Sequence, residues 1–142
     1  MFSVAGFNQD IGNWDVSNVT NMYIMFDRNS VFNQDISGWD VSSVENMQEM
    51  FAGNPSAAGF NQDLSGWDVS SLTNADSMFD SNASFSDENY SNLLIGWAAQ
   101  TVQPNVAFGA STIQYSAGAA ATARGVLTGA PNNWTITDGG QA

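Results

Sequence analysis

Asp10, Asp35 and Asp63 recur at one position of a repeated phrase, and Asp15, Asp40 and Asp68 recur at another. Carboxylates that stack rung upon rung could do two kinds of chemistry. Each could accept backbone N–H bonds and close the turn it stands in. Alternatively, oxygens from neighbouring rungs could gather around calcium, a hard cation that takes oxygen ligands. Like charges ~4.8 Å apart repel by about 1 kcal/mol per contact even at the dielectric of water, so such columns need local donors or a cation. Neither a D-x-D-x-D-G loop nor a GGxGxDxUx nonapeptide accompanies them. Apart from this calcium option, no cofactor is expected.

Catalysis has little to build on. The chain holds no histidine and no cysteine, which removes the commonest general base and the thiolate nucleophile. The recurring acids share one environment, whereas acid and base roles require environments that differ. The expectation is a protein without catalytic residues, not an enzyme.

Specificity is better sought where the phrase varies. Its three full copies are "FNQDIGNWDVSNVTNMYIMF" from Phe7, "FNQDISGWDVSSVENMQEMF" from Phe32 and "FNQDLSGWDVSSLTNADSMF" from Phe60. Between them Tyr23, Gln48 and Asp76 exchange at one position, and Ile24, Glu49 and Ser77 at the next. Tyr23 and Ile24 read as an exposed apolar pair beside Met1-Phe2, for contact with a preceding coil or a partner, or for packing against the N-terminal segment. The candidate binding residues are therefore Asp15, Asp40, Asp68, Tyr23, Ile24, Gln48 and Glu49. The Asn-Gln pairs Asn8-Gln9, Asn33-Gln34 and Asn61-Gln62, with Asn21, Asn46 and Asn74, read as amide columns bonded from rung to rung. The N-x-S/T matches at Asn18, Asn82, Asn89 and Asn133 read as incidental in a chain so rich in Asn, Ser and Thr.

The elements that must position these residues follow from the period. Phe7, Phe32, Phe60 and Phe85 are separated by steps of 25, 28 and 25 residues, the middle step enlarged by "AGNPSAAG". Repeats of about 20–29 residues are the range of leucine-rich arrays. Ile11, Trp14 and Val16 are spaced as L-x-x-L-x-L, and Trp14-Asp15-Val16-Ser17 alternates as a short strand does. Val19, Met22, Met25 and Phe26 then predict one face of a helix, with Ser17 as its N-cap and Ser42-x-x-Glu45 as a capping box in the second copy. The fold class expected is an α/β solenoid, a right-handed superhelix of short strands and helices like a leucine-rich repeat, with a C-terminal α/β cap. Its phenylalanines and tryptophans would form columns.

Residues 1–97 are assigned to the array: a partial unit 1–6, units 7–31, 32–59 and 60–84, and a degenerate unit 85–100. Residues 101–142 form the capping segment. Helices are predicted in "SDENYSNLLIGWAAQ", starting at Ser86 or Asp87, and in "AGAAATARGVLTG", with Ser116 as N-cap and Gly129 past its end. "NVAFGASTIQYS" and "NWTITD" are predicted strands. Met1-Phe2 matches Met25-Phe26, so the sequence reads as beginning inside an earlier unit.

Charge narrows the partners. Fourteen acidic residues against two basic ones, Arg28 and Arg124, give a net charge of −12. That balance opposes binding to nucleic acid, which needs cations at phosphates, and to anionic membrane surfaces. No apolar run is long enough for membrane insertion.

The phrase W-D-V-S-x-V-x-N-M-x-x-M-F resembles the repeat of the BspA-type leucine-rich-repeat family of bacterial surface proteins. The likeness covers Met1 to about Trp97 and rests on Trp14-Asp15-Val16-Ser17, Asn21 and Phe26 with their counterparts; Ala75 departs from it where Met22 and Met47 stand. The ending "YSAGAAATARGVLTGAPNNWTITDGGQ" is similar to the segment that closes such arrays. The resemblance implies an extracellular or cell-surface protein for adhesion or binding, with a protein or glycan on another cell or matrix as partner. Two alternatives stand beside it: a structural subunit that assembles with further copies of itself, and an adhesin segment stiffened by calcium.

Overall fold

The computed structural model describes residues 6–54 and 59–142. Met1-Phe2, most of the partial first unit and the middle of the "AGNPSAAG" insertion lie outside the described residues.

The expected superhelix, with a strand and a helix in every unit, is not the fold. Among the described residues there are two helices, α1 (Asp87–Ala98) and α2 (Ala119–Thr128), both beyond the three copies of the phrase. The strands are β1 (Asn74–Ala75), β2 (Ala107–Ala110) and β3 (Thr135–Asp138). They form one open, three-stranded parallel sheet in the order β1-β2-β3. Asn74 pairs with Ala107, and Ala107 with Thr135. Single parallel bridges tie Asn21 to Asn46 and Asn46 to Asn74.

The physical reason lies in where the backbone N–H groups go. A helix would send each one to the fourth preceding carbonyl. Instead the N–H groups of Met22, Ile24 and Phe26 donate to the carbonyls of Asn46, Gln48 and Met50, at 2.8, 3.0 and 2.9 Å. Between these bonds the chain turns tightly, with Ile24, Glu49 and Ser77 in the left-handed region at φ of 57°, 53° and 55°. A run of such turns buries Met22 and Phe26 as well as a helical face would, so apolar spacing alone did not distinguish the two. "WDVS" joins two turns and is not a strand: Trp14 N–H donates to the Ile11 carbonyl and Val19 N–H to the Val16 carbonyl, at 3.0 and 2.9 Å. Ser17 is no helix cap, because its hydroxyl donates to Asp15 at 2.6 Å. Likewise Ser42 bonds Asp40 through its N–H and hydroxyl, at 3.1 and 2.6 Å, and Glu45 N–H donates to the Thr20 carbonyl, so the capping box is absent.

The apolar residues of the phrase do bury one another. Phe26 stacks on Phe51 and Phe51 on Phe79, with centroids 5.6 and 5.4 Å apart. Phe32 stacks on Phe60 and Phe60 on Phe85, at 6.0 and 6.4 Å. The two columns interlock where Phe26 meets Phe32, Phe51 meets Phe60 and Phe79 meets Phe85, at 4.0, 4.0 and 4.1 Å. Three tryptophans reach back one copy: the indole N–H of Trp39, Trp67 and Trp97 donates to the carbonyls of Ile11, Ile36 and Leu64, at 3.0, 3.1 and 3.1 Å.

Buried amides close the turns between copies. Asn82, 2% exposed, donates to the Phe51 carbonyl at 3.1 Å and accepts from the N–H groups of Ser84 and Phe85, at 2.9 and 3.2 Å. Asn29 does the same with Phe7, Val31 and Phe32. Asn82→Ala would strand a buried carbonyl and a buried N–H. It is expected to destabilise the fold by about 2 kcal/mol in urea denaturation, and a change within error would refute this role.

The C-terminal elements arise from ordinary local signals. Ser86 caps α1, its hydroxyl accepting from Asn89 N–H at 3.1 Å, and Asp87 and Glu88 favour the positive end of the helix dipole. The helix lies so close to the third copy that a Cβ at Gly96 would run into the Ser65 carbonyl. Gly129 ends α2 as expected, but the N-cap is Gly118, without a side-chain bond, and not Ser116. Phe79 N–H donates to the Gly109 carbonyl at 2.9 Å, which carries the last copy onto β2.

Candidate functional site

The varying positions of the phrase fall on equivalent points of the backbone. The N–H groups of Tyr23, Gln48 and Asp76 each donate to the side-chain oxygen of the asparagine two residues before, Asn21, Asn46 and Asn74, at 2.9, 2.9 and 3.0 Å. The next residues share one conformation, and Ile24 and Glu49 N–H donate to the carbonyls of Gln48 and Asp76, both at 3.0 Å. Three unlike side chains therefore project from one repeated scaffold. Tyr23 is 41% exposed, Asp76 is exposed and Gln48 is half-buried, its amide oxygen accepting from Asn74 at 3.2 Å. Ile24 and Glu49 are half-buried. Tyr23 also lines a hollow of about 460 Å³ with Val19, Asn21, Met22 and Met25.

Both aspartate columns spend one carboxylate oxygen on their own turns. Asp10, Asp35 and Asp63 accept from the N–H groups of Gly12, Ser37 and Ser65, at 3.0, 2.9 and 2.8 Å. Asp15, Asp40 and Asp68 accept from those of Ser17, Ser42 and Ser70, at 3.1, 3.1 and 3.0 Å. Local donors of this kind remove the need for a cation between rungs. The Ser17 hydroxyl, and then its N–H, hold the Asp15 carboxyl below the usual range, and Ser37 and Ser70 do the same for Asp35 and Asp68. Among the described residues no three acidic side chains converge as ligands of a metal ion. Asp68 differs from its counterparts because it edges a shallow hollow of about 430 Å³ with Gly66, Ser70, Gln100 and Thr101.

The Asn-Gln columns run from rung to rung, whereas the side-chain oxygens of Asn21, Asn46 and Asn74 close their own turns instead of bonding one another. Asn33 N–H and the Gln34 amide donate to the Asn8 side-chain oxygen, at 3.0 and 2.9 Å. Asn61 N–H and the Gln62 amide repeat this on Asn33, both at 2.9 Å. Ser86 N–H and the Asn89 amide complete it on Asn61, both at 2.9 Å.

One polar cluster carries no sequence signal. Arg124 of α2 meets Asp138 of β3 through two bonds, at 2.8 and 3.2 Å, and the Tyr90 hydroxyl of α1 donates to Asp138 at 2.7 Å. The guanidinium also lies 5.3 Å from the centre of the Tyr115 ring. Burial, then the bond to Asp138 and its charge, push the Tyr90 hydroxyl well above the usual tyrosine range. The sign follows from a folded-state value higher than the unfolded one: the contribution is whole below pH ~10 and is lost as pH rises beyond that point. Melting temperature is expected to fall above pH ~10 and to fall less in Tyr90→Phe; parallel curves would remove Tyr90 as the cause.

A frame of repeated Asx turns, closed by a small parallel sheet and two helices, sets the varying side chains on one ladder. The chain belongs to the family described as Mycoplasma protein of unknown function, DUF285, whose model matches residues 1–105. No curated protein and no solved structure matches the chain. No helix among the described residues is long and apolar enough to cross a membrane.

Proposed function

We propose that the chain is a non-enzymatic, extracellular or cell-surface repeat module that binds a protein or glycan for adhesion, as its resemblance to the BspA-type family implies. The observation that carries this reading is the pairing of a constant frame with varied side chains at Tyr23, Gln48 and Asp76. Recognition surfaces set adaptable polar groups beside an aromatic anchor, and rigid backbone lowers the entropy lost on binding. Exposed acids at Asp15, Asp40 and Asp68 add a field that favours cationic or hydrogen-bonding partners.

The test is binding of the full chain to immobilised glycans and extracellular-matrix proteins, with and without Tyr23→Ala, Gln48→Ala and Asp76→Ala combined. Each bonds its turn through its N–H, and the one side-chain bond removed, from Asn74 to Gln48, is only part-buried, so the frame should survive. A loss of about tenfold or more in affinity is expected, the range of a truncated hot spot. Undiminished binding by the triple variant, or no binding to any surface, would overturn the reading.

A further inference from the structure

Asp68 closes the same turn as Asp15 and Asp40, but its surroundings differ. The phrase is not repeated after the third copy, and the residues that follow α1 lie against this turn instead. The Gln100 side-chain oxygen accepts from Val69 N–H at 2.9 Å, and its amide donates to the carbonyls of Trp67 and Gly96, at 2.8 and 3.3 Å. With both ends of the amide committed, Gln100 is a fixed wall. Gly66, Ser70 and Thr101 complete a hollow of about 430 Å³. Small-molecule sites span about 300–1,000 Å³. Asp68 and Thr101 are exposed and Ser70 is half-buried, so solvent reaches their oxygens. One Asp68 oxygen takes the Ser70 N–H at 3.0 Å, and the other accepts no N–H among the described residues.

We propose that the hollow at Asp68 is a subsite for one neutral hexose unit of a glycan. The walls select this class over its rivals. A calcium ion takes about six to eight oxygens, and the hollow holds a single carboxylate. An anion is repelled by Asp68 and by a net charge of −12. An ammonium group would gain as much from Asp15 or Asp40, which offer the same exposed carboxylate on the same turn without the walls. A neutral sugar uses everything present. One of its hydroxyls donates to the carboxylate, a charge-assisted bond, and its neighbours exchange bonds with the Ser70 and Thr101 hydroxyls. Walls already held in place lower the ordering that binding requires. The hollow shares no residue with the ladder of Tyr23, Gln48 and Asp76, so either reading can fail alone.

The experiment follows the backbone amides of the isotope-labelled full chain by NMR while glucose, galactose, mannose and N-acetylglucosamine are added in turn. At least one is expected to shift Gly66, Ser70 and Thr101 saturably, with a dissociation constant on the order of 1 mM for so few ligand atoms. Asp68→Asn keeps the turn, since Asn21, Asn46 and Asn74 close theirs with an amide oxygen. It is expected to weaken binding about tenfold, because a neutral bond replaces the charge-assisted one. Asp35→Asn removes the same charge from a turn outside the hollow and is expected to leave the affinity unchanged. A side chain added at Gly66 meets no atom within 4 Å, so Gly66→Leu fills the hollow without disturbing the frame and is expected to abolish binding. The proposal is overturned if none of the four sugars gives a saturable shift, if Asp68→Asn and Asp35→Asn bind alike, or if Gly66→Leu binds undiminished. Tetralysine shifting Ser70 and Thr101 at lower concentration than any sugar would also overturn it, and would make the hollow a contact for a basic protein.

Discussion

Asp138→Ala is expected to destabilise the protein by about 3–5 kcal/mol, the range found when one partner of a buried ion pair is removed. For a chain of this size that is a fall in melting temperature on the order of 10 °C. The side chain of Asp138 is 3% exposed, and its two oxygens serve Arg124, the Tyr90 hydroxyl and Gly140 N–H at once. Removing it leaves a guanidinium only 26% exposed without its carboxylate, and a buried hydroxyl without its acceptor. Those groups belong to α1, α2 and β3, so the loss should loosen the whole C-terminal assembly together. Tyr90→Phe keeps the ion pair and should lose only about 1 kcal/mol. Arg124→Met combined with Asp138→Leu should lose less than Asp138→Ala, because an apolar pair leaves no orphaned charge. Urea unfolding of the four proteins checks the order, and an Asp138→Ala midpoint close to the parent's would refute the argument.

How much of this was legible beforehand differs from residue to residue. The phenylalanine columns and the amide bonds from Asn8 to Asn33 to Asn61 could be foreseen, because a fixed period places like side chains over like. The turn-closing role of the aspartates was one of two open readings, and Gly12, Ser17 and their counterparts supply its donors. The spacing points to a superhelix of strands and helices that does not form, for a definite reason. Val19, Met22, Met25 and Phe26 present the same apolar spacing on a helix and on a run of tight turns, and nothing local marks Ile24 for φ of 57°. A β-branched residue in that region is costly alone and persists because bonds on both sides of it hold the turn. The helices of the last third were readable because Ser86 and Gly129 are local signals, although Gly118 displaced Ser116 as the cap. Arg124, Asp138 and Tyr90 could not be paired in advance, since they meet only after β3 lies beside β2.

The interior of the copies is as constant as their outward side chains are varied, and this places the second large effect in the aromatic columns. Phe51→Ala is expected to destabilise the fold by about 3–5 kcal/mol, as deletion of a buried aromatic does. Phe51 is 1% exposed and has stacked rings on three sides, Phe26, Phe60 and Phe79 at 5.6, 4.0 and 5.4 Å. The cavity left by its ring has rigid neighbours on three sides, and they can relax only by shifting the backbone ladder. Its own N–H is bonded to the Met78 carbonyl and its carbonyl to Asn82, so collapse around the gap would break main-chain bonds. Phe51→Leu should recover more than half of the loss, because most of the volume is restored while the ring contacts are not. The comparison that decides is Phe7→Ala. Phe7 stands at the half-buried start of its column, 6.1 Å from Phe32, and should lose well under half as much as Phe51. Equal losses at Phe7 and Phe51 in chemical denaturation would mean that stability does not follow the columns, and would refute the claim that these rings hold the copies together.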